Sequence, residues 1–245
     1  MPDCVILVGG QGKRLGSLTA RTPKPMIPVQ GRPILEWQIL QLRRAGIRDI
    51  TLLVNFQSQV IENYFGSGHR WGVTLRYLKD PDNHRGTAQL VQTAVASANG
   101  KQSEVIILAG DVLADLDVTE LLTYHRQQTR DITVVGERRQ LPIGIVDIDE
   151  RSVITAVYEK PTVYVAAAFM VVKRHVIEGI SSEGDFFKNV EGAIARCGSL
   201  YVKSDMQLLH ISEVRDDVAA AESAWQPRFF DGVDDTRLAP DMLER

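Results

Sequence analysis

Only two cysteines occur in the 245 residues, Cys4 and Cys197, and neither belongs to a C-x-x-C or Cys/His pattern. That leaves no sign of a disulfide framework or a zinc motif, and reduced, buried thiols are expected. Positive charge is not in excess either: 28 Lys and Arg stand against 31 Asp and Glu, for a net charge of −3. No global basic field therefore points to nucleic acid or an anionic membrane, and a phosphate ligand must be held by local groups. No apolar run approaches the roughly 18 residues of a spanning helix. Val5 to Val8 is too short for a signal segment and has no basic leader, so a cytoplasmic protein without a membrane partner is the default expectation. Internal repeats, low-complexity tracts and an obvious linker are absent too, which favours one domain. What remains, 44% hydrophobic and 24% charged residues, is the balance of an ordinary globular protein with a substantial core.

The first half alternates strands with helices. Val5 to Val8 is a continuous apolar run closed by Gly9-Gly10, the pattern of a buried strand. Ile34 to Ala45 reads as a helix with a broad buried face, stopped by Gly46. Ile50 to Val54 is the next strand, Val60 to Phe65 a short helix, and Val73 to Leu78 a strand. Thr87 to Ala98 is helical, and Val105 to Ala109 is an apolar strand ending in Gly110-Asp111. Such alternation predicts a mainly parallel sheet covered on both faces. Beyond residue 130 the segments Ile132 to Val135, Ile143 to Ile148, Ile154 to Tyr158 and Ala166 to Val172 read as antiparallel additions to that sheet. Asp185 to Ala195 is a helix, and from Trp225 the chain reads as an arm or tail.

The first strand runs straight into Gly9-Gly10-Gln11-Gly12-Lys13-Arg14-Leu15. Glycines after a buried strand let backbone N–H groups converge and let a polyanion approach without a Cβ in the way. Lys13 and Arg14 add charge there, and the planar guanidinium fork suits phosphate oxygens. Two common phosphate motifs fail: Leu15 stands where a dinucleotide fingerprint needs its third glycine, and Arg14 where a P-loop needs Ser or Thr.

This loop, with Thr22-Pro23-Lys24-Pro25-Met26 after it, closely resembles the opening signature of the nucleotide-sugar pyrophosphorylases. Gly31-Arg32-Pro33-Ile34-Leu35, Gly86-Thr87-Ala88-Gln89, Gly110-Asp111, Gly144-Ile145-Val146 and Glu159-Lys160-Pro161 continue the match in order, over roughly residues 4 to 215. Within the family the wording looks most like the heptose 1-phosphate guanylyltransferases. The resemblance implies a single-domain α/β fold, Rossmann-like and GT-A-like, with a mixed, mainly parallel sheet and helices on both faces. Residues 1–225 would form the nucleotidyltransferase domain and 226–245 the arm. It further implies transfer of a nucleoside monophosphate from an NTP to a sugar 1-phosphate with release of pyrophosphate. A homo-oligomer is left open.

The family's functional positions fall on particular residues of this chain. Val8, Gly9, Gly10, Gln11, Gly12 and Lys13 would cradle the nucleotide, and Gly86 and Gln89 would face the base. Arg14 would hold the leaving phosphates and Lys24 the α-phosphate. Asp111 would bind Mg²⁺, with Mn²⁺ an alternative. Lys160 beside Glu159 would meet the phosphate of the sugar, and Gly144 would leave room for its ring. Two departures mark the acceptor half: Ala166-Ala167-Ala168 stands where the family has Asn-Ala-Gly, and His210 where it has a second metal-binding Asp. An unusual acceptor, a shifted alignment and a binding protein without activity are all compatible with His210. A cytidylyltransferase acting on a small phosphorylated alcohol or phosphonate is likewise left open.

Overall fold

The computed structural model describes residues 1–10, 22–79, 86–98, 102–204 and 206–210, and the single positions 219, 223, 225 and 228. Thirteen strands are described. In chain order they are β1 (Asp3–Leu7), β2 (Pro28–Val29), β3 (Arg32–Pro33), β4 (Asp49–Val54), β5 (Thr74–Lys79), β6 (Glu104–Ala109) and β7 (Val112–Ala114). There follow β8 (Ile132–Gln140), β9 (Ile145–Ile148), β10 (Ile154–Tyr158), β11 (Thr162–Lys173), β12 (Gly198–Tyr201) and β13 (Leu208–His210). The α-helices are α1 (Ile34–Arg44), α2 (Ser58–Phe65), α3 (Gly86–Ser97), α4 (Val118–Gln127), α5 (Arg174–Gly179) and α6 (Phe186–Cys197).

Seven strands form one sheet in the order β12-β8-β11-β6-β1-β4-β5. The pairs β1–β4, β1–β6, β4–β5 and β8–β12 are parallel, while β11 runs antiparallel to both β6 and β8. The expected mixed, mainly parallel sheet is therefore present. Alternate side chains of each strand feed two cores. Cys4 and Ile6, Ile50 and Leu52, and Ile106 and Leu108 pack towards α1, α2 and α4. Val5, Leu53, Val105 and Ile107 pack towards α3, α5 and α6. A period of two in the strands thus serves helix layers on both faces.

Helix α1 shows how locally the sequence sets these elements. Its buried Ile34, Leu35, Ile39 and Leu42 face the core, and Gly46, at φ +81°, ends it. The Gly46 N–H donates to the Arg43 carbonyl (2.9 Å) and the Ile47 N–H to the Leu42 carbonyl (3.0 Å). This pair of bonds is a Schellman stop, which a residue with a Cβ adopts at a cost.

Two expectations need correction. Segments β9 and β10 do not join the main sheet; among the described residues they pair only with each other, as a separate antiparallel hairpin. The Asp149 side chain closes the hairpin by accepting from the N–H groups of Arg151 and Val153, both at 2.9 Å. Its apolar positions Val146, Ile148, Ile154 and Val157 stay exposed, so period-two alternation here does not signal burial. The thiols also differ from one another: Cys4 is buried, whereas Cys197 is only half-buried, and both are free. Trp225 is 1% exposed and sits edge-on to Trp37, with ring centroids 6.2 Å apart. Arg228, within the stretch read as a tail, pairs with the buried Asp115 carboxylate.

Candidate active site

The order β6-β1-β4 makes β1 a topological switch point. The chain leaves β1 towards β4 and β5 on one side and returns to β6 on the other. Open α/β sheets bind ligands in the crevice beyond the carboxyl ends of strands at such a point. A cavity of about 500 Å³ lies there. Gly9 and Gly10 reach it from the end of β1, Asn55 from the end of β4, and Asp111 from the end of β6. Lys24, Gly86, Thr87, Asp185 and Phe187 complete the polar and aromatic parts of its wall.

Close backbone contacts fix this floor. The Val8 N–H donates to the Leu53 carbonyl (3.0 Å) and the Gly110 N–H to the Leu7 carbonyl (2.9 Å), carrying the parallel register past the strand ends. A Cβ on Gly110 would come within 2.7 Å of a Val8 methyl and 3.0 Å of the Pro25 ring. Only glycine therefore lets the Asp111 turn lie this close to the Pro23–Pro25 segment. A Cβ on Gly10 would meet nothing within 4 Å, so that glycine presents bare backbone to the cavity.

Lys24 opens a single 3-10 turn, Lys24–Met26, with Pro23 before it and Pro25 inside it. The prolines fix φ on both sides and leave the ammonium directed at Asp111. Lys24 Nζ donates to Asp111 Oδ2 at 2.6 Å, with the two side chains 12% and 24% exposed. A charge-assisted bond of that length between partly buried groups holds both residues in one geometry. Sequence reasoning assigned Lys24 and Asp111 to separate tasks; the fold puts them in contact, 87 positions apart.

The opposite wall is a joint between two helix starts. Gly86, at φ +78°, begins α3, and a Cβ there would lie 2.2 Å from the Gly184 carbonyl oxygen. The Ala88 N–H donates to that same oxygen (3.1 Å). Thr87 Oγ1 donates to Asp185 Oδ2 (3.0 Å) and accepts from the Phe186 N–H (2.8 Å). Asp185 caps α6 through the Lys188 N–H at 3.0 Å. Two helix N-termini thus meet at the cavity, where their dipoles favour an anion.

The remaining assigned residues divide by position. Gln11, Gly12, Lys13 and Arg14 lie outside the described residues. Gln89 is half-buried on the first turn of α3 but is not part of the cavity wall. Gly144, Glu159 and Lys160 do not line the cavity; they gather at the base of the β9–β10 hairpin, where a Cβ on Gly144 would be 3.4 Å from a Glu159 carboxylate oxygen. Lys160 has a left-handed backbone, φ +46°. Ala166 to Ala168 lie in β11, where its pairing with β8 is irregular. His210 ends β13 and pairs through its backbone with Val112, one residue from Asp111. Asn55, Thr87, Asp185 and Phe187 were not singled out from the sequence. Asn55 had a usable signal, since it follows a parallel strand adjacent to β1.

A divalent cation fits the oxygen chemistry present. Among the described residues no cluster of three or more His, Cys, Asp or Glu could cage a metal. Mg²⁺ does not need one, because it is commonly held by one or two carboxylates together with substrate phosphates and water. Asp111 supplies such a carboxylate in the cavity.

Comparison with known proteins matches this architecture. The nucleotidyl transferase family model covers residues 3–222. The chain belongs to the nucleotidyl transferase family. Among its curated relatives is a mannose-1-phosphate guanylyltransferase from Mycobacterium tuberculosis, 34% identical over 188 residues, or 73% of this chain and 50% of that protein. A D-glycero-alpha-D-manno-heptose 1-phosphate guanylyltransferase from Aneurinibacillus thermoaerophilus is 30% identical over 132 residues, 54% of this chain and 56% of that one. Among solved structures, HddC from Yersinia pseudotuberculosis complexed with GMP-PN superposes with a TM-score of 0.70 at 20% identity, covering 92% of this chain and 100% of that chain. This nucleotidyl transferase chain spans about half the length of the curated relatives it matches.

Proposed function

We propose that the chain transfers a nucleoside monophosphate from an NTP to a sugar 1-phosphate and releases pyrophosphate. The observation that carries this reading is the Lys24–Asp111 pair, held at 2.6 Å in a cavity at the sheet's switch point. A phosphate oxygen of the sugar attacks the α-phosphorus, a new P–O bond forms, and the bond to the β-phosphate oxygen breaks. Such displacement calls for positioning and charge neutralisation more than for acid–base work. Backbone at Gly9 and Gly10 and the paired starts of α3 and α6 would receive the triphosphate, and Gly86 would border the base. Arg14, assisted by Lys13 and the Gln11-Gly12 backbone, would hold the leaving phosphates. Mg²⁺, with Mn²⁺ as the alternative, would be held by Asp111 and neutralise charge on the phosphates when bound. Lys24 would then turn from Asp111 to the α-phosphate. Lys160, Glu159 and Gly144 would receive the sugar phosphate from the hairpin side, which leaves His210 as a second candidate ligand.

The relatives named for guanylyl transfer, and the GMP-PN complex of a similar fold, support GTP as donor and a hexose or heptose 1-phosphate as acceptor. No helix among the described residues is long and apolar enough to cross a membrane; we place the reaction in the cytoplasm, without nucleic acid and with a homo-oligomer as a candidate assembly. The test is a pyrophosphate-release screen of ATP, GTP, CTP, UTP and dTTP against glucose, mannose and heptose 1-phosphates, choline phosphate and a phosphonate, with Mg²⁺ or Mn²⁺. Fastest release with GTP and a sugar 1-phosphate is expected. Release only with CTP and a non-sugar acceptor would overturn the acceptor assignment.

A further inference from the structure

Helix α1 carries three polar side chains that are buried: Glu36, Gln38 and Gln41, at 1%, 2% and 4% exposure. Glu36 is satisfied locally, by Arg32 (2.7 Å) and the Tyr64 hydroxyl (2.6 Å). The two glutamines do something else. Gln38 Nε2 donates to the Ala109 carbonyl at 2.8 Å and to the Val112 carbonyl at 2.7 Å. One turn further on, Gln41 Nε2 donates to the Ala114 carbonyl at 2.6 Å and the Leu116 carbonyl at 2.9 Å. Each amide spends both hydrogens on two carbonyls of one short segment, a geometry the planar NH₂ group of glutamine can supply.

The two clamps differ in what they enclose. Gln41 brackets the end of β7, whereas the carbonyls held by Gln38 flank Gly110 and Asp111. The Gln38 arrangement is also expensive. Its Oε1 is buried without a hydrogen-bond partner among the described residues, and such an orphan acceptor costs on the order of 1–3 kcal/mol. A leucine would fill the volume without that penalty but would orphan the two carbonyls instead.

We propose that Gln38 is a positioning residue that sets where the Asp111 carboxylate stands relative to Lys24. This rests on the assignment of Asp111 to metal and phosphate chemistry. The turn from Ala109 to Val112 leaves the main sheet at Ala109, and its next strand, β7, pairs among the described residues only with β13. Within it Asp111 is held at its carboxylate by Lys24 and at its flanking carbonyls by Gln38. Loss of the amide would free the turn to shift, and small misplacements of a group that positions phosphate lower the rate steeply. Gln41 is the matched control: same helix, same burial, same double donation, one turn away from the chemistry.

The experiment compares Gln38→Leu, Gln41→Leu and Asp111→Asn in the full chain. It reads thermal unfolding, hydrogen exchange of residues 109–112 and 113–116, and kcat and KM for the substrate pair found by the release screen. Gln38→Leu and Gln41→Leu should lower the unfolding temperature to similar extents. Only Gln38→Leu should speed exchange at 109–112, lower kcat at least tenfold and raise the Mn²⁺ concentration for half-activation, with KM for the sugar phosphate within twofold of wild type. Should Gln38→Leu fail to fold, Gln38→Met keeps an unbranched side chain of similar volume and takes its place. Equal kcat values for the Gln38 and Gln41 variants, or unchanged exchange at 109–112, would overturn the proposal. Wild-type turnover in Asp111→Asn would instead overturn the metal assignment, and the exchange measurement would still decide whether Gln38 holds the turn.

Discussion

The two ends of the candidate site are built in opposite ways. The proposed nucleotide side rests on the carboxyl ends of β1, β4 and β6, whose flanking residues Val8, Val54 and Leu108 are at most 1% exposed. The proposed sugar side rests on a hairpin whose Val146, Ile148, Ile154 and Val157 are 48% to 66% exposed and which pairs with no other strand among the described residues. A two-stranded hairpin is marginally stable by itself in water. One half is therefore fixed by the global core and the other by its own turn and its attachment to β8 and β11. A rigid donor cradle facing an adaptable acceptor flap would let one fold serve several acceptors.

Substitutions should separate the halves. The largest effect is expected at Asp111: Asp111→Asn should lower turnover at least a hundredfold, about 2.7 kcal/mol of transition-state stabilisation, with the unfolding temperature nearly unchanged. Steady-state kinetics beside a melting curve checks this, and near wild-type turnover would break the assignment. Next comes Gly86→Ala. Its Cβ would clash with the Gly184 carbonyl at a positive φ, so we expect more than about 1 kcal/mol of destabilisation and a raised KM for the nucleotide, read by denaturant melts and initial rates. Lys160→Ala should raise KM for the sugar phosphate about tenfold and shift stability by less than about 0.5 kcal/mol. Comparable loss of nucleotide affinity in that variant would erase the distinction between the halves.

The smallest effect concerns stability alone. His125 is buried against Thr133, Nδ1 to Oγ1 at 2.8 Å, and its Nε2 has no partner among the described residues. Burial holds its pKa below the ordinary imidazole value. The unfolded chain therefore takes up this proton first as pH falls. Stability from this site is complete above about pH 7 and is lost as pH drops through about 6.5, at up to about 1.4 kcal/mol per pH unit, until the folded pKa is reached. Urea melts at pH 7.5, 6.5 and 5.5 check the sign. His125→Gln should flatten its part of that slope while leaving the kinetic contrast between donor and acceptor halves intact.

The donor half was also the more legible one in the sequence. Gly9-Gly10, Lys24, Gly86 and Asp111 each follow or precede a strongly apolar segment, so the chain order of motifs and strands located them together. Element ends moved by a few residues at most; β11 extends upstream to Thr162 and β8 downstream to Gln140. Helices α4 and α5 and the short β2, β3, β7, β12 and β13 were not read. Strands that short carry no period, and the polar positions of α4 mask its buried Leu121 and Leu122. Gln38 and Gln41 were invisible for a different reason. Helical spacing puts both on the buried side of α1, but their partners lie 71 to 75 positions away, so nothing local shows what they bond. The hairpin misled in the reverse direction, since its alternation is real but its apolar face covers nothing in this chain's described residues.

The central claim is that the Lys24–Asp111 pair serves transfer to a second substrate rather than binding alone. Pyrophosphate release in a single turnover, with GTP and Mg²⁺ and with or without mannose 1-phosphate or heptose 1-phosphate, tests it most directly. The account predicts release that depends on a sugar 1-phosphate, yields the matching nucleotide sugar in equal amount, and falls at least a hundredfold in Asp111→Asn. Tight nucleotide binding with no release for any pair of the wider NTP and acceptor screen would contradict it and make the chain a binding protein.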